Sequence, residues 1–188
     1  MPKLGVIVGS VREGRAGLPI AQWFIDRARA HGGFDVSLID LKEVGLHLLD
    51  EPHHPRLRQY QQETTKAWSA TVSALDAFVF VTAEYNHGAP PALVNALDHL
   101  SLEWNYKAAG LVSYGGVSGG IRAVQLLKPM LLSLKVVPVV EAVPIPFFSQ
   151  MMDKESGTFK GSEILEKGAV TMLDELKRWD TALATLRA

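Results

Sequence analysis

The chain has 188 residues, no cysteine and a formal net charge of −1. This length suits one domain with a core of its own, and the near-zero charge gives no general attraction to nucleic acid or to an anionic membrane. The lack of cysteine excludes disulfides, thiolate nucleophiles and cysteine-ligated metal sites. No apolar stretch approaches the length that spans a bilayer, and the short apolar run at the N-terminus ends in a glycine-rich loop. We therefore expect a single domain over residues 1–188 that resides in the cytoplasm.

Strands and helices are predicted to alternate along the chain. Short segments rich in strand formers are followed by turns and then by segments with apolar residues at helical spacing. In chain order, the first half is predicted to contain strand Leu4–Val8, turn Gly9–Gly17, helix Pro19–His31, strand Phe34–Leu41, irregular loop Lys42–Arg56 and helix Gln59–Leu75. The second half is predicted to contain strand Phe78–Val81, loop Ala83–Gly88, a helix from Pro90–Pro91 to Leu100, strand Ala109–Tyr114, turn Gly115–Gly120, helix Ile121–Leu134, strand Val136–Val143, loop Pro144–Gly161 and helix Glu163–Leu186.

This alternation predicts an α/β fold with a parallel sheet that is covered by helices on both sides. Five strands favour the flavodoxin-like, three-layer arrangement with strand order 2-1-3-4-5. In this order the first, third and fourth strands are neighbours, and the loops that follow them converge at one edge of the sheet. Those loops are Gly9–Gly17, Ala83–Gly88 and Gly115–Gly120. Ligands of open α/β sheets bind at such a place, so we expect a binding crevice there.

The loop after the first strand has the composition of an anion site. Its glycines let backbone N–H groups turn towards an anion, and the N-terminus of the next helix adds its dipole. Ser10 offers a hydroxyl group, and Arg12 and Arg15 offer guanidinium groups that suit a phosphate. A P-loop is excluded because Arg15 and Ala16 stand where it needs Lys and then Ser or Thr. The dinucleotide-binding fingerprint G-x-G-x-x-G is also absent, because Val11 occupies the position of its second glycine. A tight turn with two solvated arginines is the alternative.

The turn Gly116–Gly120 contains the G-x-S-x-G pattern of a nucleophile elbow, between a strand and a helix as that motif requires. A serine hydrolase with Ser118 as the nucleophile is therefore one alternative function. The elbow needs a histidine later in the chain, but the last of the six histidines is His99. The glycines equally predict a turn whose bare backbone closely approaches a flat ligand.

The loop Glu84–His87 allows two interpretations. Its side chains could supply a catalytic acid, a stacking tyrosine and ligand contacts, or the loop could lead into the next helix with Asn86 as the cap. A second polar cluster lies in the irregular loop, where a mixed polar surface explains the residues better than a metal site does. That cluster contains Asp50, Glu51, His53 and His54.

Three segments together resemble the NAD(P)H-dependent FMN reductase family, which includes small quinone, azo-dye and chromate reductases. They are GSVREGR at Gly9–Arg15, AEYNHGAPPALVNALD at Ala83–Asp98 and EWNYKAAGLVSYGGVSGG at Glu103–Gly120. The middle segment is the most specific, because an E-Y-N loop, a proline and an L-x-N-A-x-D helix are this family's mark. Two positions depart from the family: Ala83 stands where proline is usual, and Arg15 where a small polar residue is common.

The resemblance implies a flavodoxin-like domain with non-covalently bound FMN. It implies that the FMN phosphate contacts Ser10, Arg12 and Arg15. It implies that the edge of the isoalloxazine near N5 contacts the backbone of Glu84, Tyr85, Asn86 and His87. It implies that the pyrimidine end contacts Ser113, Tyr114, Gly115 and Gly116, with the N–H groups of the Gly115–Gly116 turn stabilising the negative charge of reduced flavin. No protein residue is expected to act as a catalyst, because the cofactor carries the chemistry.

The implied reaction passes a hydride from NADPH or NADH to FMN and then two electrons to an acceptor, in a ping-pong sequence. A quinone, an azo compound, chromate or free flavin is the expected acceptor. A flavodoxin-like electron carrier without turnover is the remaining alternative.

A broad apolar arc on the helix after the fourth strand predicts a subunit interface. Its residues are Leu126, Leu127, Met130, Leu131 and Leu134. Further candidates for this contact are Trp104, Phe147 and Phe148. The family resemblance implies a homodimer or homotetramer in which the neighbouring subunit completes the flavin pocket.

Overall fold

The structure is a computed structural model that describes residues 1–187, and a five-stranded parallel sheet lies at its centre. The strands are β1 (Lys3–Val8), β2 (Asp35–Asp40), β3 (Ala77–Ala83), β4 (Ala108–Tyr114) and β5 (Val137–Ile145). They are ordered β2-β1-β3-β4-β5, and every neighbouring pair is parallel. The predicted flavodoxin-like strand order is therefore confirmed.

Helices cover both faces of the sheet and complete three layers. Within the described residues they are α1 (Gly17–His31), α2 (Leu41–Val44), α3 (Glu63–Ser73), α4 (Pro91–Asp98), α5 (Ile121–Ser133) and α6 (Glu163–Arg187). Helices α1 and α6 pack on one face, and α3, α4 and α5 pack on the other.

The alternation of side chains along each strand divides the apolar residues between two cores. Leu4, Val6 and Val8 of β1 join the core beneath α1 and α6, whereas Ile7 joins the core on the opposite face. Strands β3 and β4 have neighbours on both edges as well as helices on both faces, and all of their residues are buried. Their sequences are apolar except for Thr82 and Ser113, as this double burial requires.

The segment Lys42–Arg56, predicted as an irregular loop, contains most of the short helix α2. The side chain of Asp40 accepts a hydrogen bond from the N–H of Lys42 at 3.0 Å and caps the helix. Gly45 ends it with a φ of 65°, a left-handed conformation that glycine adopts at low cost. A helix of four residues is too short to show a hydrophobic period, so the sequence pattern does not reveal it.

The predicted subunit contacts are only partly at the surface. Trp104 is fully buried and its ring packs edge-on against Phe78, with the ring centroids 5.0 Å apart, so its assignment to a subunit contact is wrong. Leu127 and Leu131 are also core residues, whereas Leu126 is 56% exposed. Met130 and Leu134 are partly buried against the same core, so the apolar arc of α5 belongs mostly to the core and only Leu126 among these five residues is exposed.

Two charged side chains are buried before the amino end of β4. The carboxylate of Glu103 accepts hydrogen bonds from Ser69 at 2.6 Å and Tyr60 at 2.9 Å. The Nζ of Lys107 donates to the carbonyl of Val72 at 2.7 Å and so satisfies the last turn of α3. These contacts attach α3 to the start of β4.

Burial lowers the pKa of Lys107 from 10.5 to about 8, and the nearby Arg187 adds to this effect. The unfolded chain therefore binds this proton more tightly than the folded chain does. As the pH rises from about 8 to 10.5, Lys107 should increase the free energy of unfolding. We expect urea denaturation to show this increase in the wild type and a smaller one in Lys107→Met. Lys66 is exposed, so the control variant Lys66→Met should show the same pH dependence of the free energy of unfolding as the wild type. Equal pH dependence in all three proteins would contradict a lowered pKa of Lys107.

Candidate active site

The three predicted loops converge at the carboxyl ends of β1, β3 and β4. They enclose a cleft of about 420 Å³. The cleft is lined by Arg12, Glu13, Gly14, Arg15, Ala16, Ala83, Glu84, Tyr85, Tyr114, Gly115, Gly116 and Phe148. The cleft lies where the strand order predicts a ligand-binding crevice.

The N-terminus of α1 forms one end of the cleft. Its N-cap, Ala16, has no side chain that could accept from the first N–H groups, and the first turn contains no acidic residue. Arg12 is exposed beside it. Uncapped N–H groups, the positive end of the helix dipole and a guanidinium group together suit an anionic ligand.

Arg15 is held by an ion pair with Asp40 at the end of β2. The two side chains are only 10% and 8% exposed, so the pair attaches the first loop firmly to the neighbouring strand. Within the described residues, the buried Nε of Arg15 has no hydrogen-bond partner. Arg15 therefore serves as an anchor for the loop and keeps one donor atom free of protein partners.

Hydroxyl groups support this end of the cleft from behind. Ser10 is fully buried, and its Oγ lies 2.6 Å from the hydroxyl oxygen of Tyr85 and accepts from the N–H of Arg12 at 3.3 Å. Ser10 does not line the cleft, which argues against the direct phosphate contact predicted for it. The Tyr114 hydroxyl lies so close to Gly17 that a Cβ there would approach it to 2.8 Å. Burial, followed by the nearby Tyr85, raises the pKa of Tyr114, so this phenol stays protonated at neutral pH.

The loop after β3 contains a tight turn. Tyr85 and Gly88 exchange two backbone hydrogen bonds of 2.8 and 2.9 Å. Asn86 and His87 between them have φ values of 49° and 70°, as in a type I′ turn. Asn86 and Arg12 line an adjoining cleft of about 570 Å³, whereas His87 lines neither cleft. The N–H of Tyr85 is already used within the turn.

The glycine turn after β4 forms the opposite wall. The N–H of Gly115 donates to the carbonyl of Ile145 at 3.3 Å and is thus already used within the protein. Ser113 is buried and its hydroxyl donates to the carbonyl of Gly119 at 2.8 Å, so it shapes the turn instead of lining the cleft. A Cβ at Gly116 would meet no atom within 4 Å, which leaves room for a flat ligand. The N–H of Gly116 has no partner within residues 1–187.

Ser118 is not placed as a nucleophile. Its Oγ donates to the carboxylate of Glu84 at 3.0 Å and accepts from the N–H of Gly120 at 3.3 Å. No histidine is among its partners in the described part of the chain, so no base is in position to activate it. The hydrolase interpretation of the G-x-S-x-G motif is therefore wrong.

Glu84 is instead a fully engaged carboxylate. Its side chain is 6% exposed and forms an ion pair with Arg122. Burial opposes its ionisation, but the hydrogen bonds from Arg122 and Ser118 outweigh burial and lower the pKa of Glu84. The group is thus ionised at neutral pH and unsuited to act as a general acid.

The cleft unites most of the predicted binding residues. Those that line it are Arg12, Arg15, Glu84, Tyr85, Tyr114, Gly115 and Gly116. Phe148, which the sequence analysis gave as a candidate for a subunit contact, also lines the cleft, where its ring meets that of Tyr114 edge-on with the centroids 5.2 Å apart. Ala16 was missed because only its position at the helix start, and no chemistry of its side chain, brings it to the cleft.

The pattern of the NADPH-dependent FMN reductase family matches residues 2–150, which include all three loops of the cleft. The chain belongs to this family. It is therefore an oxidoreductase of the class that uses FMN with NAD(P)H, and the resemblance of its three loop segments is confirmed.

Individual relatives agree with this assignment. The chain is 43% identical over 148 residues to an NAD(P)H-dependent FMN reductase of Schizosaccharomyces pombe, covering 77% of this chain and 74% of that protein. It is 36% identical over 145 residues to an NAD(P)H-dependent FMN reductase of Saccharomyces cerevisiae, covering 71% and 75%. The fold is similar to that of FerB, a flavoenzyme NAD(P)H:(acceptor) oxidoreductase from Paracoccus denitrificans, with a TM-score of 0.76, 21% identity and coverage of 97% and 98%.

Within residues 1–187, no helix is both long and apolar enough to cross a bilayer. No group of three or more histidine, aspartate or glutamate side chains in the same range is arranged to hold a metal ion.

The glycine turn gives a direct stability prediction. Gly120 has a φ of 83°, and a Cβ there would lie 2.9 Å from the main-chain N of Tyr114. We expect Gly120→Ala to lower the free energy of unfolding by about 1–3 kcal/mol in urea denaturation. Gly116→Ala is the matched control and should change it by less than about 0.5 kcal/mol, because its Cβ meets nothing. Equal losses in both variants would contradict this account of the turn.

Proposed function

We propose that the cleft binds FMN non-covalently and that the enzyme uses NADPH or NADH to reduce a small acceptor. The supporting observation is the pairing, in one cleft, of an anion-binding helix terminus with a bare glycine wall. These two features match the two chemically different ends of FMN, a phosphate and a flat ring. We also infer that the chain forms one domain, because both cores share the same sheet.

The residues would divide the binding between them. The N-terminus of α1 and Arg12 would hold the phosphate, with Arg15 contributing its free Nε. The open face of Gly116 would let the ring system approach the backbone, and the N–H of Gly116 is the donor left to its pyrimidine end. Tyr85 and Phe148 would limit the access of water from the sides of the cleft.

Bound FMN would supply the two-electron chemistry, for which the protein provides binding and orientation. Among the described residues that line the cleft, the carboxylates of Glu84 and Glu13 are ion-paired with Arg122 and Lys42, and the raised pKa of Tyr114 means that its phenol holds its proton, so we expect none of these groups to transfer a proton. One cleft would serve NAD(P)H and the acceptor in turn, which predicts ping-pong kinetics. We propose a quinone, an azo compound, chromate or free flavin as the acceptor.

A flavodoxin-like electron carrier, the alternative left by the sequence, would use the same cleft without turnover, whereas the relatives of this chain are named as reductases. The test is the spectrum and turnover of the purified protein. We expect it to bind FMN, to lose its yellow colour on anaerobic addition of NADPH and to oxidise NADPH steadily when a quinone is present. Bleaching without turnover would favour the carrier, and failure to bind FMN would exclude both candidates.

Arg12 tests the phosphate end. We expect Arg12→Ala to weaken FMN binding by about 1.5–3 kcal/mol, the range for a hydrogen bond to a charged group. Binding is measured by titrating apoprotein against FMN fluorescence. Arg29, an exposed arginine at the far end of α1, provides the control variant Arg29→Ala, which should bind as the wild type does. Unchanged affinity in Arg12→Ala would remove this residue from the site.

Gly116 tests the ring end. Gly116→Ala adds a methyl group that meets no protein atom and projects from a cleft-lining residue. We expect it to weaken FMN binding about tenfold, equivalent to ~1.4 kcal/mol, without loss of stability. The same FMN titration measures the effect, and binding as tight as in the wild type would place the ring elsewhere.

We further propose that the protein is a homodimer or homotetramer. Leu126 on α5 and Phe147 are 56% and 49% exposed, and Phe147 directly precedes Phe148, which lines the cleft. Light scattering at micromolar concentration should therefore give a mass above that of the 20.5 kDa chain. A mass of one chain would contradict this assembly.

A further inference from the structure

The loops that follow β3 and β4 form two walls of the cleft. The regular pairing of these strands ends at Ala83 and Tyr114. Beyond it, residues 84–88 and 115–120 share no backbone hydrogen bond within the described chain. Some other contact must keep the loops at a constant separation if the cleft is to be preformed.

Glu84 makes that contact. Its carboxylate accepts from Ser118 Oγ at 3.0 Å, from the main-chain N of Arg122 at 3.1 Å and from the Nε of Arg122 at 2.7 Å. The carboxylate therefore spans from the end of β3 to both the glycine turn and the first turn of α5. These are charge-assisted hydrogen bonds to a nearly buried acceptor, the strongest class in proteins.

Glu84 also completes a helix that lacks its own cap. The N-cap of α5 is Gly120, which has no side chain, and the first turn contains no acidic residue. By accepting the N–H of Arg122, the carboxylate of Glu84 supplies the missing cap from another segment of the chain. Its negative charge also lies at the favourable, positive end of the helix dipole.

We propose that Glu84, Ser118 and Arg122 form a latch that sets the separation of the two loops and so positions the cleft for its ligand. In this role Glu84 is a positioning residue, and the serine of the G-x-S-x-G motif is a hydrogen-bond donor to it. The latch acts on the proposed FMN cleft and to that extent rests on the proposed function. Tyr85 follows Glu84 directly, and Gly116 lies two residues before Ser118, so the latch joins two residues that line the cleft.

The first test measures the latch in apoprotein, without any ligand. Hydrogen exchange followed by mass spectrometry reports the opening of residues 116–121. We expect Glu84→Ala to speed exchange there about tenfold or more while exchange in the central strands is unchanged. Glu84→Gln keeps one carbonyl oxygen, which can still accept from both Ser118 and the main-chain N of Arg122, so this variant should retain part of the protection.

The second test measures FMN affinity. We expect Glu84→Ala and Arg122→Ala each to weaken FMN binding about tenfold. The double variant should be no weaker than either single variant, because both changes remove the same contact. Ser118→Ala, which removes one of the hydrogen bonds, should have a smaller effect.

Glu166 provides the matched control. Its carboxylate also joins two elements, accepting from Trp23 and Arg27 at 2.7 Å each, but it lies away from the cleft. Glu166→Ala should leave FMN affinity and the exchange of residues 116–121 as in the wild type.

The results separate this proposal from the proposed function. Wild-type protein that binds no FMN would reject the proposed function, while the exchange of residues 116–121 in apoprotein would still decide whether the latch exists. Wild-type affinity and exchange in Glu84→Ala would reject the latch alone. Additive losses of FMN affinity in the double variant would also reject the latch. If Glu84→Ala unfolds globally, the folded variants Glu84→Gln and Ser118→Ala decide instead, and unchanged exchange of residues 116–121 in both would reject the latch.

Discussion

The position of β3 in the sheet is the constraint on which the rest of the structure depends. It pairs with β1 on one side and β4 on the other, and helices cover both of its faces. A strand enclosed in this way has only its ends near solvent, so it contributes to function only where it stops. Because all of the strands are parallel, the loops after β1, β3 and β4 emerge at the same edge. The cleft thus follows from the pairing order.

In the loops of the cleft, some polar groups hold the loops in place and other groups face the space for the ligand. The hydroxyl groups of Ser10 and Ser113 bond to other protein atoms behind the cleft surface, and the carboxylate of Glu84 bonds across to the next loop. The residues that line the cleft are three glycines, three aromatic residues, two alanines and four charged residues. Such an arrangement keeps the ligand-facing groups in place before the ligand arrives, because supporting groups with satisfied hydrogen bonds have little freedom to move.

The ion pair of Arg15 and Asp40 illustrates the same principle at the other end. The guanidinium of Arg15 is largely committed to Asp40. Removing one partner of a buried pair leaves an uncompensated charge and costs about 3–5 kcal/mol. The pair therefore attaches the anion-binding loop to β2, while the exposed Arg12 has its charge available at the rim of the cleft.

The sequence by itself determined the alternation of strands and helices, the parallel sheet, its order and the three loops that meet in the cleft. The elements rest on local signals, such as the apolar run Phe78–Val81 and the glycines of Gly115–Gly120, whose physical meaning changes little with their surroundings. The parallel sheet and its order rest on the topological rules for alternating strands and helices. Only the tertiary structure decided which partners the polar groups have. Glu84 bonds to residues 34 and 38 positions away, and the N–H of Gly115 is satisfied by β5. Trp104 lies in the core instead of at a contact. A residue's chemistry shows what it is able to bind, but its burial and its neighbours are set by how distant segments pack.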